Sequence, residues 1–251
     1  MTSRGVGERQ HDRVFATKGE LARAIILRAL TSPLPVGWVT ADCAYGQDSH
    51  FRRFLEDHQL SYVVAVPKSQ QVHGPRIEDR ILREAPPEAW QRLSAGSGAK
   101  GERFYDWAAA RLPAVWEFDG DEPTRQRWMV ARRSIAKPDE IAYYLASAPL
   151  EATVADLVRI AGCRWKVEEC FQSAKNECGL DQYEVRRYVG WYRHITLAML
   201  AHAFLAVLAS QEREKGAVSG THPTSWTSHR PRFDVCWQLD PTAVLRTATT
   251  R

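Results

Sequence analysis

The chain has little of what marks several protein classes at once. Its five cysteines (Cys43, Cys163, Cys170, Cys178 and Cys236) include no Cys-x2-Cys pair. That spacing excludes the usual zinc ribbons, and the odd count speaks against a disulfide framework. The five read as small, mostly buried hydrophobes in a reducing compartment. No uninterrupted apolar run reaches the roughly 18 residues of a membrane span. The opening Met1-Thr2-Ser3-Arg4-Gly5 is not a signal peptide. There is no internal repeat, and no serine has a histidine and an aspartate placed around it for a nucleophilic triad. These absences give the expectation of a cytoplasmic protein with no membrane partner.

What is present is ordinary in bulk. A length of 251 residues with 44% hydrophobic and 25% charged content allows one large domain or two modest ones, with a real core. The net charge of +4 and pI near 8.8 lean mildly basic, which tolerates a nucleic-acid partner without demanding one. Most of the cations are arginine. Arginine suits bidentate phosphate contacts, and a GC-rich coding sequence produces the same bias.

Along the chain, Thr17-Lys18-Gly19-Glu20 has capping-box form and opens a helix that ends before Pro33. Val36–Ala41 reads as a buried strand delivering Asp42 to its end, and Ala44-Tyr45-Gly46 as a turn. A helix from about Ser49 to His58 and a strand Ser61–Val66 complete a β-α-β alternation, which implies parallel strands. Residues 67–150 break that rhythm. They hold a short helix over Arg76–Glu84 and strands at Phe104–Ala108, Trp128–Arg133 and Ile141–Ser147, best arranged antiparallel. The run Ser94–Gly101 lacks the Gly-x4-Gly-Lys-Ser/Thr order of a phosphate loop and reads as a hairpin loop. From Leu150 the pattern is helical: Val154–Ile160, then a helix carrying Glu168, then a long apolar helix from about Tyr188 to Ser210. The fold class is therefore α/β. The segments are 14–66, a β-rich insertion 67–150, a helical part 151–210 and an irregular tail 211–251, with residues 1–13 frayed.

The chemistry concentrates in Cys163-Arg164-Trp165-Lys166-Val167-Glu168-Glu169-Cys170-Phe171-Gln172-Ser173-Ala174-Lys175. On a helix Arg164, Glu168 and Lys175 fall within about 40° of one another. Val167, Cys170, Phe171 and Ala174 take the adjoining face, a spacing that buries a helix against a sheet. A carboxylate held between two cations on an apolar rim suits a metal ion beside a phosphate; an ordinary i,i+4 surface pair has the same spacing. Asp42 and Glu168 together form a hard oxygen pair of the kind that selects Mg²⁺ or Mn²⁺. Asp42 as a simple cap of the turn is the competing reading, as is Trp165 as plain core. Glu169, about 100° from Glu168 on the helix, is a poor substitute ligand.

The spacing Arg-x3-Glu-x6-Lys, with Trp after the Arg and Glu-Glu-x-Phe behind it, resembles the DDE (Asp-Asp-Glu) transposases of bacterial insertion sequences. Within them it resembles the branch with a Tyr-Arg-Glu-Lys signature. Arg164, Glu168 and Lys175 match its last three letters, while Ala161 stands where its Tyr would fall. Gly179–Arg186, Gly190–Ala201 and Trp38–Gly46 look like the same family, so the resemblance runs from about Val14 to about Lys215. It implies DNA transposition on a partial RNase H-like core, with the β-rich insertion between the last core strand and the helix bearing the Glu. It also implies Asp42 and Glu168 as catalytic, metal-holding residues for two Mg²⁺ (or Mn²⁺) ions. Arg164, Trp165, Lys175 and Arg193 would be DNA contacts, and transposon ends and target duplex the partners, with a homo-oligomer or an intact transposase as a protein partner.

The family's first Asp, borne on a strand of a three-strand meander, has no counterpart; Asp12 lies in a polar stretch with no strand around it. The expectation is an N-terminally truncated copy, inactive alone, with a non-catalytic DNA-binding or dimerising remnant as the alternative. Such a copy should leave a sheet edge and one apolar face of the two parallel strands uncovered. Tyr45, the Arg193-His194 pair and Trp90, Trp107, Trp116 and Trp128 are secondary candidates, each with packing as the competing role.

Overall fold

The computed structural model describes residues 15–98, 101–113 and 124–219, with side chains described as far as Glu212. Asp12, Trp116 and Cys236 lie outside the described residues.

Helix α1 (Lys18–Leu30) starts where the sequence places it. The Thr17 hydroxyl accepts from the Glu20 N–H while the Glu20 carboxylate accepts from the Thr17 N–H at 2.7 Å, a complete capping box. Strand β1 (Trp38–Ala41) follows, then a single turn α2 (Cys43–Gly46), α3 (Ser49–Asp57) and β2 (Ser61–Val66). β1 and β2 pair in parallel, Trp38 opposite Ser61, as the β-α-β reading requires. Beyond them lie α4 (Ile77–Glu84), β3 (Gln91–Gly98), β4 (Gly101–Arg111), β5 (Arg125–Arg133) and β6 (Ile141–Pro149). Most of Ser94–Gly101 is strand rather than loop.

Among the described residues six strands form one sheet in the order β1-β2-β6-β5-β4-β3. β6 runs antiparallel to β2, with Tyr62 opposite Ser147, so the strands of 67–150 extend the same sheet edge to edge with those of 14–66. The uncovered apolar face expected of the parallel pair is filled. β2 has neighbours on both sides, and Val63 and Val64 are fully buried on opposite faces. Only the edge remains: β1 is an outer strand, and all four of its residues are merely half-buried.

Side-chain alternation sorts the two faces. Val63, Trp128, Val130, Tyr144 and Ala146 pack with Leu157, Val158 and Ala161 on one face. Tyr62 and Val64 pack with Phe51 and Leu55 of α3 on the other, beside Met129 and Leu145 against Ile77 and Ile81 of α4.

The first face is covered by α5 (Val154–Cys178), one continuous helix of 25 residues where two were expected. A capping box from Thr153 and Asp156 begins it, and Gly179 in the left-handed region ends it. Where the two helices were expected to divide, Gly162 is a contact point: a Cβ there would lie 2.0 Å from the Ala95 carbonyl oxygen. β3 carries a bulge between Ser94 and Ser97, with Gly96 at φ +89°. α5 touches both outer strands, β1 and β3, so the sheet curls around it. Helix α6 (Tyr188–Ser219) packs on α5 and runs past the expected boundary at 210.

Candidate functional site

Alternation along β1 puts Trp38, Thr40 and, one residue beyond the strand, Asp42 on the face that α5 covers. Trp38 packs against the same cluster as Trp165. Asp42 and Glu168 therefore sit on two elements in contact on one side of the sheet.

Both carboxylates already have partners. Asp42 Oδ1 accepts from the Ala44 N–H at 2.9 Å and caps α2, so the capping role holds for one of its oxygens. Glu168 Oε1 lies 3.0 Å from Arg164 Nη1. The Glu168 side chain is 60% exposed, and an ion pair at such a surface contributes little to stability. Glu169 is committed elsewhere, to Arg103 at 3.4 Å and Lys166 at 3.2 Å. Among the described residues no three His, Cys, Asp or Glu side chains converge as a metal cage. A two-ion site is not complete among the described residues, because Asp42 and Glu168 alone supply too few hard oxygens.

Trp165 is half-buried. Its ring stacks on Tyr105 at 6.0 Å and 15°, and the guanidiniums of Arg103 and Arg132 lie 4.6 and 4.9 Å from it. These residues went unnoticed in the sequence. Arg103, Tyr105 and Trp107 alternate onto one face of β4, which the pattern could have shown; that α5 lies across them it could not.

The apolar stripe next to Glu168 is also reassigned. Val167 and Phe171 are exposed, whereas Ala174 is fully buried against Leu180 and Ala198. Cys170 Sγ lies 3.3 Å from His202 Nε2, and burial pushes its thiol up; Cys43 is raised by burial and by the neighbouring Asp42 charge. Neither is poised as a thiolate nucleophile.

Lys175 and Arg193 are exposed and make no ion pair among the described residues. His194 donates from Nε2 to the Gly179 carbonyl at 2.9 Å, a packing role. Tyr45 packs 5.9 Å from Phe51 in the α3 cluster. Trp107 and Trp128 are core, and Trp90 is half-buried under Arg133. The segment Tyr188–Glu212 contains an 18-residue window of mean hydropathy 1.5 and is, by length and composition alone, long and apolar enough to span a membrane, which the strict run length had hidden. Arg193, His194 and His202 within it fit a domain helix equally.

A family model described as a transposase DDE domain matches residues 6–204, well over half of the chain. No curated protein matches it.

Proposed function

The chain belongs to the transposase DDE domain family, and from that premise we propose that it is a DNA-engaging transposase domain with an incomplete carboxylate set. DNA transposition is the function of the family. The finer reading is an RNase H-like core of the Tyr-Arg-Glu-Lys branch in which Asp42 and Glu168 are two of three catalytic acids. The observation that carries it is the shared face: Asp42 follows directly on β1, on the side that α5 covers, and Glu168 is borne by α5. Lys175 and Arg193, cations without carboxylate partners among the described residues, are the DNA-backbone contacts, with Arg164 beside Glu168 and Trp165 fixing the helix behind them.

Mg²⁺ or Mn²⁺ is the family's usual cofactor. With two acids in place, this chain alone holds such ions weakly and does not cut DNA. The test combines duplex binding with nicking of supercoiled plasmid in Mg²⁺ and Mn²⁺. Binding that weakens steeply with salt and survives Asp42→Ala, without nicking, is expected. Metal-dependent nicking abolished by Asp42→Ala or Glu168→Ala would show a complete site; absence of binding would remove the DNA reading.

A second reading, a remnant that dimerises or associates with an intact transposase, is favoured by the exposed apolar row Leu197, Leu200, Phe204 and Leu208 on α6. It predicts lowered transposition when the chain is co-expressed with an active relative.

A further inference from the structure

On the sheet face opposite α5, a cavity of about 400 Å³ opens between α3, the 71–73 turn and the strands β5 and β6. Tyr62, Val72, Leu112 and Leu145 form its apolar part, and Arg52, Arg53, Glu56 and Arg127 with His50 and His73 its polar part. We propose that this cavity is a phosphate-ester site, filled by a backbone phosphate of duplex DNA and separate from Asp42 and Glu168.

The charge argument comes first. Three guanidiniums face one carboxylate, so the cavity is positive even with both histidines neutral. Glu56 is fully used: Arg127 donates to both of its oxygens, Nε at 2.9 Å, and the Tyr62 hydroxyl donates to it at 2.8 Å. Arg52 donates to the Gly46 carbonyl. That leaves Arg53 with no ion pair, and the His50 and His73 rings with no hydrogen bond, among the described residues.

Geometry and surroundings add to this. The Arg127–Glu56 pair, braced by Tyr62, forms a fixed wall. The apolar side strengthens charge–charge attraction along the wall it adjoins, while the mouth is open to solvent. His73 stands at φ +50°, a conformation uncommon outside glycine. A planar guanidinium beside imidazole donors suits the several acceptor oxygens of a phosphate ester. The DNA source of that phosphate rests on the reading of the previous subsection; the anion chemistry does not.

The test uses the whole chain and two probes: a fluorescein-labelled duplex, and inorganic phosphate. Arg53→Glu should weaken duplex binding about tenfold and lower the slope of log K against log salt by about one. Arg53→Lys should restore most of both. Far-UV circular dichroism should be unchanged, because Arg53 is exposed. Should the duplex be indifferent to Arg53→Glu while millimolar phosphate raises the Tm of the wild type alone, the site stands with a free phosphate as its source. Indifference of both probes to Arg53→Glu overturns the proposal and leaves wild-type DNA binding, hence the proposed function, untouched. A wild type that binds no duplex but responds to phosphate through Arg53 removes the proposed function and keeps this site.

Discussion

The two long helices, α5 and α6, differ in a way opposite to their compositions. α6 is the more apolar, yet Leu197, Leu200, Phe204 and Leu205 are all exposed. α5 carries more charge, yet Leu157, Val158, Ile160 and Ala161 are buried to within 6% of complete. Burial follows the surface available to receive a helix. The curled sheet gives α5 a concave bed reaching from β1 to β3, while among the described residues α6 packs mainly on α5. Hydrophobicity decides what a helix offers, and topology decides what is taken.

Matched substitutions sharpen that contrast. Leu157→Ala on α5 should cost about 2–5 kcal/mol in chemical denaturation, since its side chain is fully enclosed. The same change at Leu200 on α6 should fall within about 0.5 kcal/mol. Equal losses would mean that α6 is covered in solution, and a concentration-dependent Tm would identify the cover as a second copy.

Gly162→Ala tests how α5 is seated. Its Cβ would meet backbone rather than a yielding side chain, so about 1–3 kcal/mol of destabilisation is expected. A neutral result would place β3 farther from α5 than described.

Thr153→Ala tests the start of the helix, at about 1 kcal/mol near neutral pH. The Thr153 hydroxyl and N–H hold the Asp156 carboxyl below its ordinary value. A depressed folded-state pKa gives stability that is present above the unfolded value and lost as pH falls through the folded one. The gap between mutant and wild type should therefore narrow as pH drops below about 4. A gap constant from neutral to acid pH would mean that the cap does not involve the charged carboxylate. A comparably small effect should come from Glu168→Gln, whose exposed pair with Arg164 is worth about 0–1 kcal/mol.

Local signals were legible where they were complete within a few residues. Thr17 with Glu20, the run Ser61–Val66 and the helix over Ile77–Glu84 all emerge where their patterns place them. The parallel pairing of β1 and β2 followed from their connection. Three things were not legible, each for a non-local reason. The continuity of α5 through Gly162 depends on Ala95, far away in the chain. The roles of Val167 and Phe171 depend on where the sheet ends beneath the helix, which periodicity does not encode. The packing of Trp165 depends on Tyr105 and Arg132 from two other strands. Of the candidate site, the spacing of Arg164, Glu168 and Lys175 was readable; the Glu168–Arg164 pairing and the α2 cap by Asp42 needed coordinates.

The order of strands carries a consequence for how the molecule assembles. β3, β4, β5 and β6 pair each with its neighbour in the chain, so their ladders close short loops. The join of β2 to β6 must instead draw together Tyr62 and Ser147 across the whole intervening meander. Closing that span costs entropy before any contact repays it. On loop-closure grounds the meander is expected to form before the parallel pair docks on it through the β2–β6 seam.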